Sequence, residues 1–166
     1  IICFRNEAGW EFDPKKGPKS QKFSKLFPPT LVNSPNPINQ YLEKTEVDEY
    51  YYYRQDKYMY EDLRKAIKSE DTIYQWRRVY VRENQSNQCP TLTANMGTGG
   101  HNVPLIKTED GFRKLTPREC FNFQGYPKSF KLPDKLGRSQ LYKQAGNSVT
   151  VPLIKKLALL IKETLI

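Results

Sequence analysis

The sequence predicts an α/β fold in which a β-rich, loop-rich stretch is followed by helices. Three observations support this class. Residues 78–82 (RVYVR) alternate polar and apolar side chains as a half-buried strand does. A Gly-rich loop at residues 96–102 leads into a short strand at residues 103–106. Beyond residue 115 the chain carries helix-start signals and an apolar stripe at helical spacing.

The first third of the chain is predicted to be mostly irregular. Residues 1–4 (IICF) have the apolar, β-branched character of the end of a buried strand, whereas residues 13–19 are rich in Pro, Gly and Lys, as loops are. Four prolines between residues 28 and 37 favour extended or irregular backbone. Because the chain opens in an apolar run without a Met, we expect it to be cut inside a strand of a longer protein.

One helix and one aromatic run are expected in the middle of the chain. Residues 58–68 favour a helix, with Tyr60, Leu63 and Ile67 at helical spacing. The run YYYYR at residues 50–54 has two interpretations: its rings stack on bases, or they lie on a strand or helix edge and pack partly against the core. Packing is favoured, since most aromatic side chains serve it.

Two helices are predicted near the C-terminus. Thr116 can cap a helix with Pro117 in its first turn and Glu119 at the capping-box position, and this helix should stop at residues 125–127 (GYP). The final helix should begin after residues 146–148 (GNS). We expect it to dock the C-terminus onto a sheet through an apolar stripe of Leu153, Ile154, Leu157, Leu160, Ile161 and Leu165.

A basic composition favours a polyanionic partner. In 166 residues, 27 Lys and Arg against 18 Asp and Glu give a formal net charge of +9 and an isoelectric point near 9.4, which suits nucleic acid. Eleven Tyr and eight Phe add surface on which bases could stack. A lysine-rich surface that only confers solubility would give the same balance, so charge alone leaves both interpretations open.

Cysteine and histidine usage argues against several kinds of site. Cys3, Cys89 and Cys120 are odd in number, widely spaced and without a CxxC pair, so neither a disulfide framework nor a zinc site is predicted. His101 is the sole histidine, which leaves no His-rich metal site. Residues 149–166, the most apolar segment, are too few and too charged to span a bilayer. We expect a cytoplasmic protein with no metal and no membrane attachment.

Four segments resemble a known family. RKLTPRECFNFQGYP (residues 113–127) resembles the ninth motif of the DNA (cytosine-5) methyltransferases, and YKQAGNSV (residues 142–149) resembles their tenth motif. CPTLTANMG (residues 89–97) is similar to the Thr-Leu loop of their target-recognition domain. IICFR (residues 1–5) is similar to the strand that follows their eighth motif. The order and spacing of the ninth and tenth motifs make this resemblance specific.

The resemblance implies a division of the chain. Residues 1–14 would be the end of a catalytic-domain strand and a linker, and residues 15–110 a β-rich, loop-rich target-recognition domain that binds double-stranded DNA. Residues 111–166 would complete an S-adenosylmethionine-dependent, Rossmann-like catalytic domain. The implied reaction is methyl transfer to C5 of a flipped cytosine in a specific, short, palindromic duplex site, in a restriction-modification system.

The resemblance also implies that the nucleophile lies elsewhere. The family's Pro-Cys motif does not occur in these 166 residues, and Cys3, Cys89 and Cys120 are each predicted to have a packing role. No catalytic residue is assigned, and this chain alone is expected to be inactive. The N-terminal catalytic portion would come from the same polypeptide or from a separate subunit of a split enzyme. The alternative is a nucleic-acid-binding module without catalysis.

Candidate site residues follow from the same resemblance. The predicted DNA contacts are Arg78, Thr91, Thr93, Asn95, Gly97, Thr98, Gly99 and Gly100. Arg78 is the first candidate for guanine readout, with a phosphate contact or a solvated strand residue as alternatives. The predicted cofactor contacts, Asn147, Ser148 and Val149, would lie where the last helix begins, a place that suits either a ligand carboxylate or simple capping. Arg113 and Glu119 are predicted to be structural residues that tie the two lobes together.

Overall fold

The chain folds into helices and antiparallel strands, which confirms the predicted α/β class. The computed structural model describes residues 2, 4–6, 9–11, 17–27, 36–77, 79–84, 88–98 and 102–166. These divide into two compact units, Ile1–Asn33 with Val151–Ile166, and Ser34–Thr150.

The first unit contains a short hairpin. Strand β1 (Phe4–Asn6) pairs antiparallel with β2 (Gly9–Glu11), so that Arg5 lies opposite Trp10. Of the strand end predicted at residues 1–4, Phe4 begins β1, while residues 1 and 3 lie outside the described residues.

Two helices complete the first unit. Helix α1 (Pro18–Leu26) packs against α5 (Val151–Leu165). No helix was predicted at α1, because its buried side chains are only Ser20 and Phe23, too few to give an apolar periodicity. Helix α5 was predicted, but much of its apolar side remains exposed, with Leu153, Ile154, Leu159 and Leu165 each more than a third accessible.

The second unit is built on a four-stranded antiparallel sheet in the order β4-β3-β5-β6. Its strands are β3 (Tyr74–Arg77), β4 (Tyr80–Glu83), β5 (Leu105–Thr108) and β6 (Gly111–Lys114). The strand predicted over residues 78–82 is confirmed for Tyr80–Arg82, which lie in β4, but its start is wrong: the chain reverses direction between β3 and β4, with Arg77 opposite Tyr80. The apolar–polar alternation of that segment runs straight through the turn, which is why it suggested one continuous strand.

One face of this sheet is covered by a helix. Helix α2 (Tyr60–Ala66) lies within the predicted range of residues 58–68, and Leu63 and Ile67 pack with Tyr74 and Trp76 of β3. Leu63 and Tyr74 are almost completely inaccessible. This packing fixes which side of β3 and β4 faces the interior, and therefore which side is left for polar residues.

A second core surrounds α3 (Pro117–Phe123) and α4 (Arg138–Asn147). The start of α3 confirms the predicted capping box: the Thr116 side chain accepts a hydrogen bond from the Glu119 N–H, and the Glu119 carboxylate accepts one from the Thr116 N–H. The helix stops as predicted, since Gly125 adopts a positive φ of 81°.

Helix α4 was not predicted, and it corrects the placement of the tenth-motif residues. Gly146 and Asn147 end α4 and Ser148 is its C-cap, whereas the last helix begins only at Val151. Asn147 and Ser148 therefore do not lie in the first turn of the final helix. Neither residue offers the free N–H groups of a helix N-terminus, because both lie at the end of α4 and the Ser148 N–H donates to the Ala145 carbonyl.

Two of the four tyrosines in the run at residues 50–54 are buried in the core. Tyr51 and Tyr52 are buried, whereas Tyr50 is 54% exposed. Tyr51 ends a 3₁₀ turn (Glu49–Tyr51) capped by Asp48, and Tyr52 forms a bridge with Arg113 of β6. The favoured interpretation of the run, packing at an edge, is confirmed for these two rings.

Candidate functional site

The polar face of the β3–β4 hairpin forms one wall of a cleft. Because side chains alternate along a strand, burial of Tyr74 and Trp76 turns Gln75 and Arg77 to the opposite face. Arg82 of β4 lies directly opposite Gln75 and faces the same way. A forked guanidinium and an amide are thus held side by side on a regular scaffold.

The second wall comes from the loop that follows β4. Thr91, Thr93 and Asn95, three of the predicted DNA contacts, line the cleft together with the hairpin residues. The cleft has a volume of about 540 Å³, and its other lining residues are Asn84, Gln88, Cys89, Pro90 and Asn102. Among the described lining residues there is no carboxylate. With two arginines and many amide and hydroxyl groups, the cleft suits an anionic, hydrogen-bonding ligand.

Internal hydrogen bonds shape the loop at its cleft end. The Thr93 hydroxyl donates to Asn95 Oδ1 at 2.5 Å, and the Thr98 hydroxyl donates to the Asn95 carbonyl at 3.0 Å. Residues Ala94–Gly97 form a 3₁₀ turn that buries Met96 while leaving Thr93 and Asn95 exposed. The turn packs on α4, where the Ser139 hydroxyl donates to the Gly97 carbonyl at 2.8 Å.

The predicted cofactor residues lie at the C-terminal end of α4. Ser148 is half-buried, and its hydroxyl donates to the Ala145 carbonyl at 2.9 Å and contacts Gln124 Oε1. Gln124 also donates from Nε2 to the Ala145 carbonyl at 2.8 Å, so it ties α3 to α4. Asn147 and Val149 are exposed on either side of Ser148.

The ninth-motif segment (residues 113–127) contains a buried ion pair. Arg113 Nη1 and Nη2 donate to the two Glu119 carboxylate oxygens at 2.7 and 2.8 Å, and both side chains are almost completely buried. The same carboxylate accepts hydrogen bonds from the Thr116 and Glu43 N–H groups at 2.8 and 3.0 Å. Burial alone would lower the pKa of Arg113, but the Glu119 carboxylate raises it above its ordinary value. Arg113 and Glu119 were predicted to be structural, and their burial and mutual pairing fit that prediction.

Neither described cysteine has the environment of a nucleophile. Burial raises the pKa of the Cys89 thiol from 9.0 to about 12 and that of the Cys120 thiol well above 9.0. Both thiols are therefore protonated at neutral pH, and both pack with the core around α3. Cys3 lies outside the described residues.

The other predicted DNA contacts include three that lie outside the described residues and one glycine that packs on α4. Arg78, Gly99 and Gly100 lie outside the described residues. Gly97 is described, but a Cβ there would lie 2.4 Å from the Ser139 carbonyl oxygen, so packing on α4 already requires a glycine. Its need for a small residue is therefore explained without a ligand.

The cleft residues of the hairpin were missed at the sequence level. Gln75 and Arg77, like Arg82 and Asn84, are spaced two apart, which is the spacing of one strand face. That signal was present in the sequence. It is hidden because the alternation over residues 78–82 predicts a strand that begins after Arg77, which separates Gln75 and Arg77 from Arg82 and Asn84.

Among the described residues there is neither a metal-binding cluster nor a membrane-spanning helix. In that part of the chain, no cluster of three or more His, Cys, Asp or Glu side chains could hold a metal ion. Within the same residues, no helix is long and apolar enough to cross a membrane.

Comparison with known proteins identifies sequence relatives. Residues 1–163 match the family model of C-5 cytosine-specific DNA methylases. The chain is 65% identical over 114 residues to the type II methyltransferase M.Bsp6I of Bacillus sp. (strain RFL6), a match that covers 68% of this chain and 36% of the relative. It is 33% identical over 127 residues to M.NgoBI of Neisseria gonorrhoeae, with 76% of this chain and 38% of the relative covered. The chain thus spans little more than a third of the length of these relatives.

Solved structures share the fold. The methyltransferase Dnmt2 of S. pombe superposes with a TM-score of 0.58 at 16% identity, covering 87% of this chain and 47% of that structure. The Entamoeba histolytica methyltransferase EhMeth superposes with a TM-score of 0.51 at 20% identity, covering 81% and 42%. Since the family model matches nearly the whole chain, this protein belongs to the C-5 cytosine-specific DNA methylase family.

Proposed function

We propose that this chain is the recognition and C-terminal part of a type II DNA (cytosine-5) methyltransferase, and that the cleft between the β3–β4 hairpin and the loop at residues 88–95 receives duplex DNA. The observation that carries the proposal is the convergence of two groups of residues. Thr91, Thr93 and Asn95, chosen by family resemblance, line the same cleft as Arg77 and Arg82, which the resemblance did not indicate.

The chemistry of the cleft supports base readout as well as phosphate binding. In the major groove a guanidinium can pair with guanine O6 and N7, and a side-chain amide can pair with adenine N6 and N7. Arg82 and Gln75 are neighbours across the hairpin and can present both kinds of donor to adjacent base pairs. The hydroxyls of Thr91 and Thr93 suit phosphate oxygens, which set register without reading sequence.

The tenth-motif residues are compatible with one wall of a cofactor site. The exposed amide of Asn147 and the exposed isopropyl group of Val149 flank a Ser148 hydroxyl that Gln124 and Ala145 already orient. Bound there, S-adenosylmethionine would supply the methyl group. Asn147 and Ser148 would hold its polar end through hydrogen bonds, and Val149 would contact its apolar part.

The thiol that attacks cytosine C6 is proposed to come from outside these 166 residues, either earlier in the same polypeptide or from a second subunit. Cys89 is partly buried and Cys120 is buried, and the protonated state of both thiols supports this. The apolar side of α5 also supports it, because exposed residues such as Leu153, Ile154 and Leu159 need a covering surface. We propose that the remaining catalytic domain supplies that surface, in a bacterial cytoplasm.

The test is labelled methyl transfer from S-adenosylmethionine to duplex DNA by the intact protein that carries this sequence, with bisulfite sequencing to locate the modified bases. We expect 5-methylcytosine at one short sequence, and no transfer by the 166-residue chain alone. If the chain alone transfers methyl groups, the external nucleophile is wrong. If the intact protein and the 166-residue chain both bind DNA but neither transfers methyl groups, the protein is a non-catalytic DNA-binding module and not an enzyme.

A further inference from the structure

Three glycines near α4 differ in what surrounds them. A Cβ on Gly146 would lie 2.1 Å from the Thr93 carbonyl carbon and 2.3 Å from the Ala94 nitrogen. A Cβ on Gly97 would lie 2.4 Å from the Ser139 carbonyl oxygen. A Cβ on Gly137, at the N-cap of α4, would meet nothing within 4 Å. Two of the three glycines are therefore required by contact between α4 and the segment at residues 93–97.

These contacts involve backbone atoms, so no side-chain rotation can relieve a clash. A methyl group at Gly146 would force the backbone at Thr93 and Ala94 away from α4. At the other end of the 3₁₀ turn, the Ser139 hydroxyl holds the Gly97 carbonyl at 2.8 Å. The turn is thus fixed to α4 at both ends, and Asn95 lies between the two contacts.

We propose that Gly146 and Gly97 are positioning residues for DNA recognition, which fix Thr93 and Asn95 at the wall of the cleft by docking their turn onto α4. The proposal rests on the function proposed above. It separates Gly146 from its neighbours Asn147 and Ser148: Gly146 acts on the DNA side through Thr93, whereas the two following residues act on the cofactor side. The C-terminal end of α4 then contributes to both DNA binding and cofactor binding, through different residues.

The experiment compares Gly146→Ala, Gly97→Ala and Ser139→Ala with the matched control Gly137→Ala in the intact protein. The DNA probe is a duplex carrying the sequence that the wild-type protein methylates, with binding followed by fluorescence anisotropy. Affinity for S-adenosylhomocysteine is measured by calorimetry, and folding by thermal unfolding.

We expect Gly146→Ala and Gly97→Ala to weaken DNA binding by about tenfold to a hundredfold, the effect of a displacement near one ångström at a binding site. Ser139→Ala, which adds no atoms, should weaken it by about threefold to tenfold, as loss of one hydrogen bond does. Affinity for S-adenosylhomocysteine should stay within about twofold of the wild-type value in all three variants, which is the range expected of near-neutral substitutions. Gly137→Ala should leave both affinities unchanged.

Two results would overturn the proposal: wild-type DNA affinity in folded Gly146→Ala and Ser139→Ala proteins, or a loss of cofactor affinity in Gly146→Ala that exceeds its loss of DNA affinity. If Gly146→Ala does not fold, Ser139→Ala decides alone. A wild-type protein that binds no DNA would refute the proposed function itself, which keeps the two failures apart.

Discussion

The ninth-motif segment and the hairpin wall of the cleft both carry charged residues, but they use them in opposite ways. In the first, the Glu119 carboxylate is inaccessible and accepts four hydrogen bonds from Arg113, Thr116 and Glu43. In the second, Arg77 and Arg82 are exposed on a strand face that borders a cleft. Charges whose bonds are completed inside the fold serve stability, while charges turned to a cleft are available to a ligand.

The largest effect should come from removing the buried carboxylate. Glu119→Ala leaves the Arg113 guanidinium buried without its partner, and we expect a loss of about 3–5 kcal/mol in the free energy of unfolding. Urea unfolding followed by circular dichroism measures it. The matched control is Glu61→Ala, which breaks the exposed ion pair with Arg64 and should leave the unfolding midpoint unchanged. Equal midpoints for the two variants would show that the buried pair is not what holds this segment.

A substitution in the cleft should weaken DNA binding and leave the free energy of unfolding unchanged. Arg82→Ala should weaken binding to the duplex that the wild-type protein methylates. The expected loss is about 1–3 kcal/mol, the range for one bidentate base contact, and discrimination at one base pair should relax. Its unfolding midpoint should stay at the wild-type value. Arg64→Ala, which removes an exposed cation on α2, is the control, because that helix covers the other face of the sheet. If both variants bind alike, the hairpin face does not contact DNA.

Tyr142 tests the buried side of the comparison with a smaller change. Its hydroxyl donates to the Leu115 carbonyl at 2.5 Å, and the side chain is buried in the core around α3 and α4. Tyr142→Phe should cost about 1–2 kcal/mol of unfolding free energy, because a buried carbonyl loses its donor. Tyr58→Phe is the control, since that ring is 84% exposed. DNA affinity should be unaffected in both variants; a loss confined to Tyr142→Phe would link the core hydroxyl to recognition.

Cys89 gives an effect that is absent at neutral pH and develops only under alkaline conditions. Burial raises the pKa of its thiol from 9.0 to about 12, so the folded protein keeps the proton that the unfolded chain releases. The resulting stabilisation is complete below pH 9 and is lost as the pH rises toward 12. Just above pH 9, where the unfolded thiol ionises and the folded one does not, iodoacetamide should alkylate Cys89 much more slowly in the folded than in the unfolded protein, as mass spectrometry would show. Alkylation at equal rates would place the thiol in solvent.

The sequence predicted the ninth-motif helix well because its signals are local. The capping box of Thr116 and Glu119 and the stop at Gly125 depend on residues within one turn of each helix end. That Glu119 would also bind Arg113 and the Glu43 N–H could not be read from the sequence, since Glu43 lies 76 residues away along the chain.

The cleft was predicted only in part, because tertiary contacts create it. The loop residues Thr91, Thr93 and Asn95 were found through family resemblance, whereas the hairpin residues depend on which face α2 covers. Helix α4 was missed because only Tyr142 and Ala145 are buried along it, so it has almost no apolar stripe. Its position is set by contact with the 3₁₀ turn Ala94–Gly97, which local propensity does not encode.

The central claim is that the polar face of the β3–β4 hairpin contacts DNA, and photo-crosslinking tests it most directly. A benzoylphenylalanine at position 75, on the cleft face, is compared in the intact protein with one at position 64, on the exposed side of α2. We predict a covalent adduct between position 75 and the duplex that the wild-type protein methylates, and no adduct from position 64. An adduct from position 64 alone would place the DNA on the opposite face of the sheet and contradict the assignment of this cleft.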